Sequence, residues 1–277
     1  MNKTLVNLFI LLLISFNVNV FAEQTKQTVN LAASATYLGN EAVMIESGNH
    51  KILFDPFFHN DYNTYQLVPE TIRNAIFNGE KPYDAIDIVF ISHAHEDHFS
   101  AKDMLKFLIK HPKSKMVAPK QAVDSLSQLS GSEKVMAQVK SVSLTYGDHP
   151  WSGEIDGLAI EAVRIPHAGW PGRASIENIV FRVSLEQGIT IMHMGDADPD
   201  DSHFRPLEAH WQRKITDTAF PPYWFFFSAE GNDILNSRIN AKAHIGVHVP
   251  INVPQQLKRL GKDYFSTVGD KRVIHQH

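Results

Sequence analysis

Short apolar runs separated by turn residues recur from about residue 29 to the end of the chain. The runs at 42–45 and 51–54 flank a Ser-Gly-Asn turn at 47–49, which predicts a β-hairpin. Residues 86–91 form a continuous apolar run, typical of a strand that is buried on both faces. Other apolar runs predict further strands at 115–118, 139–145, 158–165, 177–185, 188–194, from 219 onward, and at 243–249.

Amphipathic segments between these runs predict helices. Ser100 and Asp103 have the spacing of a capping box, so we expect a helix over 100–109. Because strands cluster first, helices follow and the pattern then recurs, the sequence predicts two βα halves, about 29–150 and 151–277, packed as one α/β sandwich. The remaining predicted helices cover 69–77, 120–129, 204–212, 234–242 and 254–260.

The first 22 residues have the pattern of a secretory signal peptide. Lys3 supplies a positive charge, residues 5–20 are mostly apolar, and Val20-Phe21-Ala22 resembles a cleavage site. An uncleaved anchor helix is the alternative, but the fully apolar stretch is shorter than the roughly 20 residues that span a bilayer. We therefore expect a secreted, periplasmic protein with a single mature domain, 23–277, and no stable membrane span once the signal is removed.

Composition narrows the chemistry of any site. The net charge of -4 gives no sign of a face that binds nucleic acid. The chain has no cysteine, which excludes disulfides and thiolate ligands, so a metal would be held by histidine and carboxylate. Histidine, with 15 residues, is the outlier in a composition that is otherwise ordinary for a globular protein.

A run of potential metal ligands, His93-Ala94-His95-Glu96-Asp97-His98, directly follows the predicted strand at 86–91. Positions two apart in an extended segment point the same way, so His93 and His95 can share one cation. Asp97 and His98 come after the chain turns toward the next helix, and they can face a second cation. Three more candidates each lie near the end of a predicted strand, where rigid scaffolds present reactive side chains: His167, Asp196 and His248.

Neighbouring side chains compete for these roles or serve other ones. Asp198 is the alternative to Asp196, and His244 is the alternative to His248. Three other polar residues are expected in supporting positions. His193 is expected to pack behind the ligands, Asp55 to accept structural hydrogen bonds, and Glu96 to face solvent.

The order of these motifs resembles the metallo-β-lactamase superfamily over nearly all of the predicted mature chain. The Asp55-Pro56 pair and the lead-in at 88–92 match as well, and the Met194-Gly195-Asp196 turn resembles the branch that contains ascorbate-phosphate lactonase. The resemblance implies a four-layer αββα fold with two divalent metal ions. By the same resemblance, one ion is held by His93, His95 and His167, the other by Asp97, His98 and His248, and Asp196 bridges them.

The ligand types suit Zn²⁺, and Mn²⁺ or Fe²⁺ fits the same mixed set. The resemblance implies a hydrolase in which a metal-bridging hydroxide attacks the substrate, with Asp97 and Asp196 as the catalytic carboxylates. The expected small-molecule substrate is a lactone or another ester; the alternatives are a phosphodiesterase, a β-lactamase and a non-catalytic metal-binding periplasmic protein. Two cations, two carboxylates and a hydroxide leave a charge of about +1, which favours an anionic substrate.

Two segments are candidates for substrate contacts. Trp170 and Arg173 lie in a glycine-rich loop directly after His167. Arg173 could pair with a carboxylate or a phosphate of the substrate, with an ordinary surface arginine as the alternative. Tyr223 opens a run of five aromatic residues, 223–227, which is expected either as a buried core segment or as a pocket wall.

Overall fold

Two β-sheets and their covering helices make up a computed structural model that describes residues 33–277. The signal-peptide prediction at 1–22 lies outside these residues, and within them no helix combines the length and the apolar character needed to cross a membrane. The strands are β1 (Ala33–Gly39), β2 (Ala42–Ser47), β3 (His50–Phe54), β4 (Ile88–Phe90), β5 (Lys115–Pro119), β6 (Val139–Val142), β7 (Trp151–Ile155), β8 (Leu158–Arg164), β9 (Ile179–Ser184), β10 (Thr190–His193), β11 (Thr216–Phe220), β12 (Ala241–His244) and β13 (Lys271–Ile274). The helices are α1 (Glu70–Asn78), α2 (Ala101–Lys110), α3 (Lys120–Ser127), α4 (Glu208–Gln212), α5 (Ala229–Asp233) and α6 (Gln255–Arg259).

The first sheet has the order β13-β1-β2-β3-β4-β5-β6, and the second has the order β12-β11-β10-β9-β8-β7. Apolar side chains from both sheets share one core, in which the ring centroids of Phe90 and Phe181 lie 5.1 Å apart. Helices α1, α2 and α3 pack on the outer face of the first sheet. Helices α4 and α6, with the π-helical turn at 234–238, cover the outer face of the second. These layers confirm the predicted four-layer αββα sandwich.

Local signals in the sequence predicted several elements correctly. The hairpin forms between β2 and β3, which pair from Val43–Phe54 to Ser47–His50. Helix α2 begins after Ser100, whose side-chain oxygen accepts a hydrogen bond from the backbone N–H of Asp103. The carboxylate of Asp103 lies 2.7 Å from Nε2 of His59 instead of accepting a hydrogen bond from the backbone N–H of Ser100. The capping box is therefore only half formed.

The division into two βα halves is correct for the sheets with one exception. Strand β13, near the end of the second half, pairs antiparallel with β1 in the first sheet. It begins with Lys271-Arg272 and buries only Ile274 fully, so it has no apolar run that could be recognised. Strand β7 was missed for the same reason, because its residues alternate between half-buried and exposed.

The predicted boundaries of three elements were wrong. The predicted helix at 234–242 is a π-helical turn at 234–238, and β12 already begins at Ala241, because Asn240 turns the chain with a φ of 52°. The predicted strand at 243–249 ends at His244, after which the chain leaves the sheet. The predicted helix at 204–212 divides into a 3₁₀ turn at 205–207 and the short helix α4.

Candidate metal centre

The loop after β4 places four candidate ligands at one edge of the first sheet. Strand β4 lies between β3 and β5 in parallel pairing and ends two residues before Ser92. His93, Asp97 and His98 are buried, and His95 is half-buried. The carbonyl oxygen of His95 accepts from the backbone N–H of His98 at 3.0 Å, which turns the chain toward α2.

The other three candidates follow strands of the second sheet. His167 follows β8, Asp196 follows β10 and His248 follows β12, and all three are buried. The backbone N–H of Ala168 donates to the carbonyl oxygen of Asp196 at 2.7 Å, which joins two of these segments. The fold thus brings together all seven residues that the sequence singled out, from both sheets.

Four atoms form a first group of potential ligands. Nδ1 of His95 lies 3.1 Å from Nε2 of His93 and 3.2 Å from Nε2 of His167. Oδ2 of Asp196 lies 3.1 Å from Nε2 of His167 and 3.9 Å from Nε2 of His93. Ligand atoms about 2.1 Å from a tetrahedral cation lie about 3.4 Å from one another, so this spacing fits one cation.

A second group lies beside the first. Oδ1 of Asp196 is 3.2 Å from Nε2 of His248 and 3.4 Å from Nε2 of His98. Oδ2 of Asp97 is 3.4 Å from Nε2 of His248 and 3.6 Å from Nε2 of His98. The two imidazole Nε2 atoms and Oδ1 of Asp196 are buried without a hydrogen-bond partner among residues 33–277. Buried polar atoms rarely lack a partner, so their convergence is what a cation would satisfy.

Polar contacts behind the ligands orient the imidazole rings. Oδ2 of Asp55 lies 3.0 Å from Nδ1 of His98, and Oδ1 of Asp55 accepts from the backbone N–H of Ser92 at 2.7 Å. Nδ1 of His167 lies 2.8 Å from the carbonyl oxygen of Ala168. A proton held on Nδ1 leaves the lone pair of Nε2 facing the group of ligands. Asp55 therefore accepts structural hydrogen bonds, as the sequence predicted.

Burial and charge shift the pKa values at the centre in opposite directions. Burial alone would raise the pKa of Asp196, but His248 and His98 outweigh it and hold that pKa well below its ordinary range. Burial and then His98 lower the pKa of His93. Burial opposes charge on His248, yet Asp196 and Asp97 raise its pKa to about 9. The carboxylates therefore stay ionised and attract positive charge.

The competing residues are held by other contacts. Asp198 accepts hydrogen bonds from the backbone N–H groups of residues 169 and 170, at 3.0 and 3.3 Å. Nε2 of His244 lies 2.9 Å from a backbone carbonyl oxygen of the π-helical turn. His193 stacks on Phe54 with ring centroids 4.6 Å apart, and Glu96 is exposed. The packed position of His193 agrees with its predicted role behind the ligands.

An open cavity of about 320 Å³ lies in front of both groups. Of the three candidates for substrate contacts, Arg173 lines this cavity, and its Nη1 lies 3.4 Å from Nδ1 of His167. Trp170 instead packs on Tyr146, with ring centroids 4.9 Å apart, and Tyr223 packs on Trp224 at 5.6 Å. The lining residues are Tyr62, Tyr65, His95, Asp97, Arg173, Asp196 and His248.

The aromatic run at 223–227 is mainly a core segment. Phe225 and Phe226 are buried in the core of the second sheet. Trp224 is the exception, because its ring lies 5.2 Å from that of His248 and its Nε1 donates to the carbonyl oxygen of Ala197 at 3.0 Å. One residue of the run therefore supports a candidate ligand.

Sequence reasoning missed the tyrosine wall of the cavity. The ring of Tyr65 meets that of His248 edge to face, with centroids 4.1 Å apart, and Tyr62 lies nearby in the same loop. The backbone N–H of Ile251 donates to the carbonyl oxygen of Thr64 at 2.9 Å, which ties this loop to the segment of His248. Burial and then Asp196 raise the pKa of Tyr65, so its hydroxyl remains a hydrogen-bond donor. Two tyrosines in an otherwise polar stretch were the available signal.

Two buried polar residues of the β1–β2 turn, Asn40 and Glu41, were also missed. Within the described residues, neither carboxylate oxygen of Glu41 has a hydrogen-bond partner, and Oε2 lies 3.9 Å from Nδ1 of His98. Burial and then Asp196 raise the pKa of Glu41 well above its ordinary value. A two-residue polar turn between apolar strands looks like a surface hairpin in the sequence, which is why it carried no signal.

Comparison with known proteins agrees with the fold and the motifs. Residues 34–209 match the beta-lactamase superfamily domain. A UPF0173 metal-dependent hydrolase of Bacillus licheniformis is 24% identical over 217 residues, which are 76% of this chain and 83% of that relative. Another, of Aeropyrum pernix, is 32% identical over 92 residues, which are 33% of this chain and only 32% of that relative.

Solved structures show the same fold. Igni18, a metallo hydrolase from the archaeon Ignicoccus hospitalis, superposes with a TM-score of 0.57 at 16% identity, and the match covers 89% of this chain and 100% of that one. The domain match extends over more than half of the chain, and it includes the run at 93–98, His167 and Asp196. The chain therefore belongs to the metallo-β-lactamase superfamily of metal-dependent hydrolases.

Proposed function

We propose that this metal-dependent hydrolase uses two divalent cations to cleave the ester bond of a lactone or another activated ester. The observation that supports this most strongly is the position of Asp196 between the two groups of potential ligands. Its Oδ2 lies 3.1 Å from Nε2 of His167, and its Oδ1 lies 3.2 Å from Nε2 of His248. A carboxylate shared in this way suits a pair of cations, because a single cation would leave one buried oxygen unpaired.

The donor set suits zinc, with Mn²⁺ or Fe²⁺ as the other candidates. His93, His95 and His167 would hold one ion, Asp97, His98 and His248 the other, and Asp196 both. Bound there, the ions would supply a hydroxide nucleophile at neutral pH and positive charge for the developing oxyanion. Asp97 and Asp196 both line the cavity, so a carboxylate would lie within reach of an attacking water and would accept its proton.

The cavity favours a small anionic substrate. Arg173, Tyr62 and Tyr65 line it, and their guanidinium and hydroxyl groups are hydrogen-bond donors available to a substrate. An ester that also carries a carboxylate or phosphate would place that group on Arg173 and its reactive carbonyl at the cations. A phosphodiester is the rival substrate within the same chemistry.

We also propose export to the periplasm, which rests on the charged, apolar and small-residue pattern of residues 1–22. Fractionation of cells that express the full chain tests this proposal. Recovery of a periplasmic form that begins at Glu23 would support it, and retention of the full chain in the cytoplasm would contradict it.

Hydrolysis by zinc-loaded mature protein tests the proposed reaction. The substrates are a lactone, p-nitrophenyl acetate, bis-p-nitrophenyl phosphate and nitrocefin, and the variants are His95→Ala and, as a matched control, the exposed His149→Ala. We expect lactone turnover by wild type and His149→Ala, and a loss of about 100-fold or more in His95→Ala. Equal rates in all three proteins would contradict catalysis at this centre, and faster turnover of the phosphodiester or of nitrocefin would contradict the ester preference.

A further inference from the structure

A two-residue turn between β1 and β2 reaches the floor of the candidate metal centre. Gly39 and Ala42 pair across the hairpin, so Asn40 and Glu41 form its tip. Hairpin tips are normally exposed, yet Asn40 is fully buried. The turn is therefore part of the interior of the protein, between the two sheets.

Asn40 contacts two segments that carry candidate ligands. Its Nδ2 donates to the carbonyl oxygen of Asp97 at 3.0 Å, in the loop that follows β4 of the first sheet. Its own carbonyl oxygen accepts from the backbone N–H of His248 at 3.2 Å, in the segment that follows β12 of the second sheet. One residue thus joins the two sheets at the point where Asp97 and His248 meet.

The backbone at both ends of this connection has an unusual conformation. His248 has a φ of 59° and Asn40 has a φ of 43°, both in the left-handed region that residues other than glycine seldom adopt, although histidine and asparagine occur there more often than most. Asparagine tolerates this region better than most residues. A conformation of this kind persists only where surrounding contacts enforce it, and the bond from His248 to Asn40 is such a contact.

We propose that Asn40 is a positioning residue that sets the spacing of Asp97 and His248 and so determines the affinity of the second cation. This inference rests on the proposed two-cation function. The first group has separate supports, because Ser92 and the carbonyl oxygen of Ala168 orient His93 and His167. Loss of the Asn40 amide is therefore expected to weaken one cation and not the other. Contacts behind metal ligands typically change metal affinity by about 10–100-fold.

Stepwise zinc titration of the metal-free mature protein against a chelator of known affinity tests the proposal. Asn40→Gly keeps the positive φ and removes the amide, and Asn40→Asp keeps the shape but turns an acceptor toward the carbonyl of Asp97. The matched control is Gln138→Ala. Gln138 is also a buried amide, and it donates to the carbonyl oxygens of Leu108, His111 and Ser114. These contacts lie before β5, at the end of the first sheet away from the candidate metal centre.

In both Asn40 variants we expect the second equivalent of zinc to bind about 10–100-fold more weakly and the first to change by less than about threefold. Both equivalents should bind to Gln138→Ala as they do to wild type. Circular dichroism checks that each variant is folded. If only one of the two Asn40 variants folds, that variant alone decides the outcome.

The results separate this proposal from the proposed function. Wild-type protein that binds two equivalents of zinc but hydrolyses none of the substrates would contradict the proposed function. The zinc titration of the Asn40 variants would still test the role of Asn40. Unchanged binding of the second equivalent in the Asn40 variants, or equal weakening of both equivalents, would overturn the role of Asn40 alone. Wild-type protein that binds one equivalent would contradict both.

Discussion

At the scale of single residues, charge at the cavity is divided between a cationic rim and an anionic floor. Arg173 lies on the rim, and Asp97 and Asp196 lie on the floor among the candidate ligands. The negative charges of these carboxylates are balanced by imidazoles and, in our proposal, by cations. In the same proposal, the positive charge of Arg173 is left for the substrate.

Arg173→Ala is expected to raise KM for an anionic ester by about 10–100-fold, the equivalent of losing one charge-assisted hydrogen bond. The kcat value should change by less than about threefold, because Arg173 would bind the ground state and the transition state equally. Steady-state kinetics on a matched pair of esters, one with a carboxylate and one with its neutral amide, provide the measurement. An equal rise in KM for both esters, or none for the anionic one, would count against the anionic substrate.

The candidate ligands and part of their surroundings, such as Asp55, could be predicted from the sequence, but the turn and the loop that complete the centre could not. The run at 93–98 has the spacing of a metal site, and His167, Asp196 and His248 each end an apolar run. Asn40, Tyr62 and Tyr65 approach the centre only because long-range packing brings a turn and a loop to it, and no local pattern encodes that approach.

At the scale of elements, the first sheet is closed by a strand from the far end of the chain. β13 covers the edge of β1 that would otherwise expose unpaired backbone groups. Its side chains alternate, so that Ile274 is 1% exposed beneath the sheet and Val273 is 54% exposed above it. Adjacent residues of the same strand therefore face opposite environments.

Ile274→Ala is expected to lower the free energy of unfolding by roughly 2–4 kcal/mol, because it removes buried methylene groups and leaves a cavity. Val273→Ala, its neighbour, should change that free energy by about 0.5 kcal/mol. Urea unfolding of the mature protein measures both. Equal effects at the two positions would show that β13 does not pack against the sandwich as described.

Elements with strong local signals were predictable, and two edge strands were not. The β2–β3 hairpin and α2 have a turn and a cap in their own sequence. β13 is an edge strand whose partner, β1, lies at the other end of the chain. β7 is an edge strand that pairs with its neighbour β8 across a two-residue Asp-Gly turn at 156–157, a local signal that its exposed positions obscured. The half-polar pattern of an edge strand resembles that of a loop.

At the scale of the whole molecule, buried neutral histidines make stability sensitive to acid. His210 offers a test outside the candidate metal centre, because it packs behind β9, with Nε2 3.4 Å from Nη2 of Arg182. Burial and then the charge of Arg182 lower the pKa of His210 from its ordinary 6.5 to about 4. Between those values the unfolded chain binds a proton that the folded protein does not, so stability falls as pH falls.

His210→Gln should lack this part of the acid sensitivity, while its amide oxygen still accepts from Arg182. We expect the unfolding free energy of wild type to decrease relative to that of His210→Gln as pH falls from about 6.5 to about 4. Urea unfolding of the zinc-loaded proteins at a series of pH values measures this difference. A difference that stays constant across the range would contradict a buried neutral His210.

The central claim is that two cations share Asp196 between the two groups of ligands, and anomalous diffraction at the zinc edge from crystals of the zinc-loaded protein tests it most directly. We predict two peaks, one bound by His93, His95 and His167 and the other by Asp97, His98 and His248, each about 2.0–2.3 Å from its ligand atoms, with Asp196 reaching both. A single peak, or peaks bound by other residues, would contradict the claim.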